Sequence, residues 1–120
     1  KNVKEEKIIL CGASLGANIC LIYVSKNPKI KSIILLSPGW EYAGLKTDSA
    51  ARNVATKDMK ILFSASQGDV YSYSSTRQLM NIIKSSNANV TFLEGKKAQH
   101  GVQMFDEDFL KKLVSWIKSK

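Results

Sequence analysis

Ser14 stands between two glycines in the stretch Gly12-Ala13-Ser14-Leu15-Gly16, which fits the pattern G-x-S-x-G. An aliphatic block precedes this stretch and a helix-like block follows it. A serine at a sharp strand-to-helix turn can be held out as a nucleophile, and glycine is favoured two residues before and after it because a side chain there would press on the backbone. The N–H of Leu15 would open the helix and point at an oxyanion formed nearby. The alternative is a tight turn that is needed only for packing, in which the serine has no catalytic role.

A serine nucleophile needs a general base and a carboxylate that orients this base. His100, in Ala98-Gln99-His100-Gly101, is the one histidine of the chain and follows a predicted strand. Asp69, in Ser66-Gln67-Gly68-Asp69, follows another predicted strand. A lone histidine is more often a surface or core residue, and a loop carboxylate is more often a solvated turn residue. The position of both side chains after buried strands is what favours catalytic roles.

Two other carboxylates compete with Asp69 for the place beside His100. Glu94 ends a predicted strand too close to the next loop to face a histidine that arrives from that loop. Asp106 fits better as the N-cap of the last helix. Asp69 is therefore the predicted acid, and the three side chains follow the order Ser, Asp, His along the chain.

Short apolar runs alternate with helical patterns four times along the chain. Strands are predicted over Ile8–Cys11, Ser32–Leu36, Lys60–Ala65 and Asn89–Leu93, and helices over Leu15–Lys26, Asp48–Val54, Ser74–Ser85 and Asp106–Lys118. This alternation predicts an α/β fold, with a mostly parallel sheet of about four strands and flanking helices, in a single domain. The carboxyl ends of parallel strands meet at one rim of the sheet, where reactive groups collect. Ser14, Asp69 and His100 are expected at that rim, since each follows its own strand.

Composition narrows the classes of function. The net charge is +8, but the lysines are scattered and few aromatic residues lie near them, which is typical of a solvated basic surface rather than of a nucleic-acid binder. No apolar run approaches the roughly 20 residues of a membrane span. Cys11 and Cys20 lie in apolar segments without a C-x-x-C pattern, so we expect buried, reduced thiols, no zinc site and a cytoplasmic location.

The chain resembles the C-terminal half of an α/β-hydrolase, and is most similar to the dienelactone hydrolase-like and carboxylesterase-like enzymes. The resemblance rests on the order Ser, Asp, His and on the stretches LLSPGWEYAGL, ILFSASQGDVYS and AQHGVQMF. It implies that Ser14 is the nucleophile, that His100 is the general base and then the acid, and that Asp69 orients His100. The N–H of Leu15 would be one oxyanion donor. By position Trp40 could line the acyl or alcohol pocket, although a packing role is the more common one for such a tryptophan.

The implied reaction is cleavage of a carboxylic ester, or a related acyl bond, of a small-molecule substrate, without a metal or an organic cofactor. The family normally supplies several strands and a helix before the strand that leads to the serine, and the sequence begins only a few residues before that strand. We therefore expect a piece of a longer hydrolase, or half of an assembly, with one sheet edge bare. Such an edge would pair with a second copy, or with a complementing N-terminal chain, along Ile8–Leu10. The alternative function is a non-catalytic fragment that acts by binding those missing strands.

Overall fold

The computed structural model describes residues 2–84 and 88–119. The strands are β1 (Ile9–Ala13), β2 (Ser32–Leu36), β3 (Glu41–Tyr42), β4 (Leu45–Lys46), β5 (Lys60–Ala65) and β6 (Asn89–Glu94). The helices are α1 (Leu15–Lys26), α2 (Asp48–Ala55), α3 (Val70–Ile83) and α4 (Glu107–Lys118), and short 3₁₀ helices lie at Glu5–Lys7 and Gly101–Met104.

A parallel sheet of four strands, in the order β1-β2-β5-β6, confirms the predicted α/β fold. Ile9 of β1 pairs with Ser32 of β2, which pairs in turn with Lys60 of β5. Each strand of this sheet lies beside the one before it, because a crossover that contains a helix returns the chain to the same end of the sheet. The carboxyl ends of all four strands therefore share one rim, and β1 and β6 form the two edges.

Helices cover both faces of the sheet, which explains why the strands are nearly continuous apolar runs. The larger core lies between the sheet and α1, α2 and α3, and includes Leu21, Phe63 and Leu79. The smaller core lies on the opposite face, where Leu113 and Trp116 of α4 pack against β2 and β5. The strand ends are thus held between two apolar layers, and the loops that follow them are positioned by a rigid scaffold.

Several boundaries differ from the predicted ones. β1 ends at Ala13 rather than Cys11, because its pairing with β2 continues to the register Ala13–Leu36. α3 begins at Val70, directly after Asp69, although Val70 and the tyrosines that follow are types that favour strands. The end predicted for this helix, Ser85, lies outside the described residues.

A two-stranded antiparallel hairpin, β3–β4, was not predicted. Its turn residues Ala43 and Gly44 have φ of 50° and 82°, as a tight hairpin turn requires. The hairpin loop is tied to α1 by the buried side chain of Asn18, whose Nδ2 donates to the carbonyl of Leu45 (3.0 Å) and whose Oδ1 accepts from the N–H of Gly39 (2.9 Å). This loop follows β2, so it stands on the rim where the catalytic residues were expected.

The two cysteines are free thiols, and one expectation about them is wrong. Cys11 is exposed on β1, which is an edge strand of the sheet. Cys20 is only partly buried. Among residues 2–84 and 88–119, no helix is long and apolar enough to cross a membrane.

Candidate active site

Ser14 occupies the single position between β1 and α1, and its backbone is strained. Its φ of 57° and ψ of −121° lie outside the regions that residues with a side chain normally adopt. The N–H of Ser14 donates to the carbonyl of Leu36 (2.8 Å), and its own carbonyl accepts from the N–H of Ala17 (2.9 Å). Bonds to the sheet on one side and to the helix on the other therefore hold the turn that raises the hydroxyl.

The two glycines around Ser14 are not equivalent. A Cβ on Gly12 would lie 2.5 Å from the carbonyl carbon of Gly16 and 2.8 Å from the nitrogen of Ala17, so the backbone leaves no room for a side chain there. A Cβ on Gly16 would meet no atom within 4 Å. The expectation that both positions exclude side chains is thus wrong for Gly16, because the first turn of α1 leaves that position open.

His100 and Asp69 form a hydrogen-bonded pair, with Nδ1 of His100 2.5 Å from Oδ2 of Asp69. The two loops that carry them are also joined through the backbone, since the N–H of Gly68 donates to the carbonyl of Lys97 (2.8 Å). A Cβ on Gly68 would lie 2.8 Å from that same carbonyl oxygen, so a glycine here allows the two loops to approach each other. The bond to Asp69 engages Nδ1, which leaves Nε2 as the nitrogen that can act as a base.

The rival carboxylates are placed elsewhere. Asp106 caps α4 by accepting from the N–H of Phe109 (2.8 Å), and it pairs with Lys96 at 2.9 Å. The hydrogen bond from Lys96, and then the one from Phe109, lower the pKa of Asp106. Glu94 ends β6 with an exposed side chain. Of the three candidate acids, Asp69 is the one whose carboxylate contacts the histidine.

The backbone around His100 lies next to the turn at Ser14. Gly101 has φ of 60°, and a Cβ there would lie 3.3 Å from the Cβ of Ala13. Leu15 is the first residue of α1, so its N–H is one of those that find no partner within the helix and can face a ligand. These contacts bring the turn at Ser14, the loop of His100 and the N–H of Leu15 to one place on the rim.

Ser37 fixes the histidine loop, and sequence reasoning missed it. It is fully buried and has φ of 52°. Its N–H donates to the carbonyl of Ser64 (2.7 Å), and its Oγ accepts from the N–H of Gly101 (2.7 Å). The end of β2 therefore anchors the residue directly after His100. The only sequence signal is a serine between an apolar strand and Pro38-Gly39, which by itself indicates a turn.

Tyr42 is the second residue that sequence reasoning missed, because it lies on the unpredicted strand β3. Its hydroxyl is 2.5 Å from Oγ of Ser72, and its ring meets the ring of His100 edge-on, with centroids 6.4 Å apart. Burial raises the pKa of Tyr42 and outweighs the hydrogen bonds to Ser72 and Ser14, which lower it, while the charge of Asp69 raises it further. The hydroxyl therefore keeps its proton at neutral pH.

Trp40, the candidate for the substrate pocket, packs its side chain against the larger core. Its backbone N–H donates to Oγ of Ser75 in α3 (2.8 Å). The contact with the core agrees with a packing role for Trp40, which was one of the two roles considered from the sequence. Within the described part of the chain, no group of three or more His, Cys, Asp or Glu side chains could hold a metal ion.

Comparisons with known proteins identify the fold. No protein-family model matches the chain, and no curated protein matches it in sequence. The solved structures that are similar to it include the following two. One is a protein of Klebsiella pneumoniae provisionally named a dienelactone hydrolase, with a TM-score of 0.64 and 14% identity over 93% of this chain and 52% of the other. The second is the esterase domain of a Rhodothermus marinus protein, with a TM-score of 0.63 and 15% identity over 90% of this chain and 58% of the other.

The chain spans about half the length of each of these structures. At such low identity the likeness shows the fold and not the activity. The parallel order of the strands, the flanking helices and the strained turn at Ser14 agree with that fold. This chain has a partial α/β-hydrolase-like fold.

Proposed function

We propose that this chain carries the catalytic residues of a serine hydrolase that cleaves carboxylic esters or related acyl bonds. The observation that supports this most is the bond of 2.5 Å between His100 and Asp69, together with the position of the His100 loop against the strained turn of Ser14. A carboxylate that engages Nδ1 of a histidine beside a raised hydroxyl is the arrangement that activates a serine. The names of the two similar structures, a dienelactone hydrolase and an esterase, point to the same class of reaction.

In the proposed reaction, Nε2 of His100 takes the proton of Ser14 while Oγ attacks the carbonyl carbon of the ester. Asp69 holds the imidazole in the required tautomer and stabilises its positive charge. The oxyanion accepts a hydrogen bond from the N–H of Leu15, and the alcohol leaves with the proton from His100. Water then attacks the acyl group by the same route, which releases the acid and restores Ser14.

The resemblance implies that the second oxyanion donor comes from a loop among the elements that precede the strand before the serine in the family. Loss of one such donor costs on the order of 100- to 1000-fold in turnover. We therefore expect slow turnover from the 120-residue chain alone. The most suitable test is a single chemical step at Ser14 rather than steady-state turnover.

The test is covalent labelling with a fluorophosphonate probe, which reacts with activated serines. We expect labelling of the wild-type chain and none of the Ser14→Ala variant. Ser115→Ala is the matched control, because Ser115 is an exposed serine of α4 and its loss should leave labelling unchanged. Undiminished labelling of the Ser14→Ala variant would refute the assignment.

A second candidate function is binding through the uncovered edge, without catalysis. Ile19 and Tyr23 of α1 have half of their surface exposed (50% and 49%), although both are large apolar residues. They line a groove of about 420 Å³ beside Ile8 and Leu10 of the β1 edge. An apolar groove next to an unpaired strand favours pairing with further strands.

A second copy of the chain is the simplest partner to test. If binding is the function, light scattering will detect a dimer whose population rises with concentration, and the Ile19→Lys variant will be monomeric. Absence of fluorophosphonate labelling together with dimerisation would favour binding over catalysis. A monomer that is labelled at Ser14 would favour the hydrolase.

A further inference from the structure

The ring of Tyr42 lies beside the ring of His100 and is held on several sides. A Cβ on Gly39 would lie 2.6 Å from Cε2 of Tyr42, so the backbone of Gly39 passes directly against the ring. The ring of Tyr71 packs against it with centroids 5.6 Å apart, and the ring of His100 lies on another side at 6.4 Å. The position of the hydroxyl is therefore fixed by packing rather than by a single bond.

The loop that carries Tyr42 is also bound to α3, the helix that begins after Asp69. The N–H of Glu41 donates to Oη of Tyr71 (2.8 Å), and this hydroxyl donates to the carbonyl of Glu41 (2.9 Å). The N–H of Trp40 donates to Oγ of Ser75, which is buried. One helix thus sets the position of both the acid and the tyrosine.

The hydroxyl of Tyr42 belongs to a chain of polar groups that can carry its protons in two ways. Oγ of Ser72, which is fully buried, lies 2.5 Å from Oη of Tyr42 and 3.3 Å from the carbonyl of Ser37. In the first arrangement Tyr42 donates to Ser72, and Ser72 donates to the carbonyl of Ser37. In the second, Ser72 donates to Tyr42, whose own proton is then available to the carbonyl of Ser37 (3.4 Å) or to Ser14, with which the side chain of Tyr42 also forms a hydrogen bond. Hydroxyl protons rotate freely enough to exchange these arrangements.

We infer that Tyr42 is a further catalytic residue, whose hydroxyl donates a hydrogen bond to Oγ of Ser14 when this oxygen leaves the acyl-enzyme. This inference rests on the proposed function. In that step the bond between Oγ and the acyl carbon breaks, and His100 returns a proton to Oγ. A donor beside Oγ stabilises the negative charge that develops there, and Ser72 can donate to the oxygen of Tyr42 while Tyr42 donates to Ser14. During attack the same bond would hold back the nucleophile, so Tyr42 favours the second half of the reaction.

The experiment measures formation of the acyl-enzyme and its hydrolysis separately. The chain is acetylated with p-nitrophenyl acetate, excess ester is removed, and decay of the acetyl group on Ser14 is followed by intact-protein mass spectrometry. Tyr42→Phe keeps the ring and removes the hydroxyl, and we expect it to slow decay by about 10- to 100-fold, the worth of one hydrogen bond to a developing charge. The rate of acetylation should change much less.

Two further variants make the result specific. Tyr71→Phe removes a hydroxyl that bonds the backbone of Glu41 on the same loop, so it reports on loss of loop anchoring alone. Ser72→Ala removes the group that supplies Tyr42 with a proton bond, and should slow decay by less than Tyr42→Phe does. Unchanged decay in Tyr42→Phe, or equal slowing in Tyr71→Phe, would overturn the inference. Failure of the wild-type chain to acquire an acetyl group on Ser14 would instead refute the proposed function.

Discussion

At the residue scale, the candidate site depends on a strained backbone conformation at Ser14. A residue with a side chain at φ of 57° and ψ of −121° is strained by about 1–3 kcal/mol, and such strain persists only where the surroundings impose it. Here β1 and α1 impose it from both sides, and Gly12 supplies the space in which they meet. The pattern G-x-S-x-G predicted the turn correctly but could not tell which glycine is required. That depends on the distance between Gly12 and Gly16, which a sequence does not contain.

The two glycines give a matched prediction for stability. Gly12→Ala should lower the free energy of unfolding by about 1–3 kcal/mol, because the methyl group meets backbone atoms that cannot move aside. Gly16→Ala should leave it unchanged or raise it by up to about 1 kcal/mol, because alanine favours the helix and meets open space. Urea unfolding of both variants measures the difference. Equal stabilities would contradict the geometry described for the turn.

Ser37 and Ser66 form a second matched pair, since both serines are fully buried. Ser37→Ala should cost about 1–3 kcal/mol of unfolding free energy, because the buried N–H of Gly101 loses its acceptor. Ser66→Ala should cost less, because the hydroxyl of Ser66 has no hydrogen-bond partner among the described residues. Thermal unfolding followed by circular dichroism gives both values. A larger loss in Ser66→Ala would argue against Ser37 as the anchor of the histidine loop.

At the scale of elements, the sequence predicts those strands and helices whose apolar residues recur with a regular spacing. The four strands of the main sheet and the four helices follow from apolar runs and helical spacing, and the rim follows from parallel topology. The hairpin β3–β4 could not be predicted, because strands of two residues have no periodicity and are held by distant groups such as Asn18. Tyr42 was missed for the same reason. Ser14, Asp69 and His100 could be named as candidates because each lies in the turn or loop that follows a predicted strand.

The start of α4 gives a prediction about pH. The hydrogen bonds from Lys96 and Phe109 lower the pKa of Asp106 in the folded protein. A carboxyl whose pKa is lowered by folding stabilises the fold above its unfolded pKa, and this stabilisation is lost as the pH falls through its folded pKa. Asp106→Asn keeps an N-cap side chain and removes the charge. We expect the variant to be less stable than the wild type at about pH 7 and to approach it at about pH 3, as measured by urea unfolding. A constant difference across this range would contradict the role of the charge.

At the scale of the whole molecule, the chain has two covered faces and one apolar edge. The two similar structures are about twice as long as this chain, so their folds contain further elements. Cys11 lies on that edge with an exposed thiol, and it can therefore report on whatever pairs with β1. The position of the edge follows from strand order, whereas its partner depends on surfaces that a single chain does not specify.

Maleimide labelling of Cys11 tests whether the edge is free. In dilute solution we expect Cys11 to react faster than Cys20, which is partly buried. If a second copy pairs with β1, the reactions of Cys11 and of Cys20, which lines the groove beside this edge, should both slow as the protein concentration rises. A rate for Cys11 that does not depend on concentration would exclude pairing between copies along this edge.

The central claim is that Ser14, His100 and Asp69 act as one unit, and the rate of labelling at Ser14 tests it most directly. The measurement compares fluorophosphonate labelling of the wild type, Asp69→Asn and the control Asp106→Asn, with the labelled residue identified by peptide mass spectrometry. Loss of the orienting carboxylate in a working triad costs on the order of 10⁴-fold in rate. We predict a modified Ser14, a loss of this order in Asp69→Asn, and no loss in Asp106→Asn. Equal labelling rates in wild type and Asp69→Asn would contradict the claim.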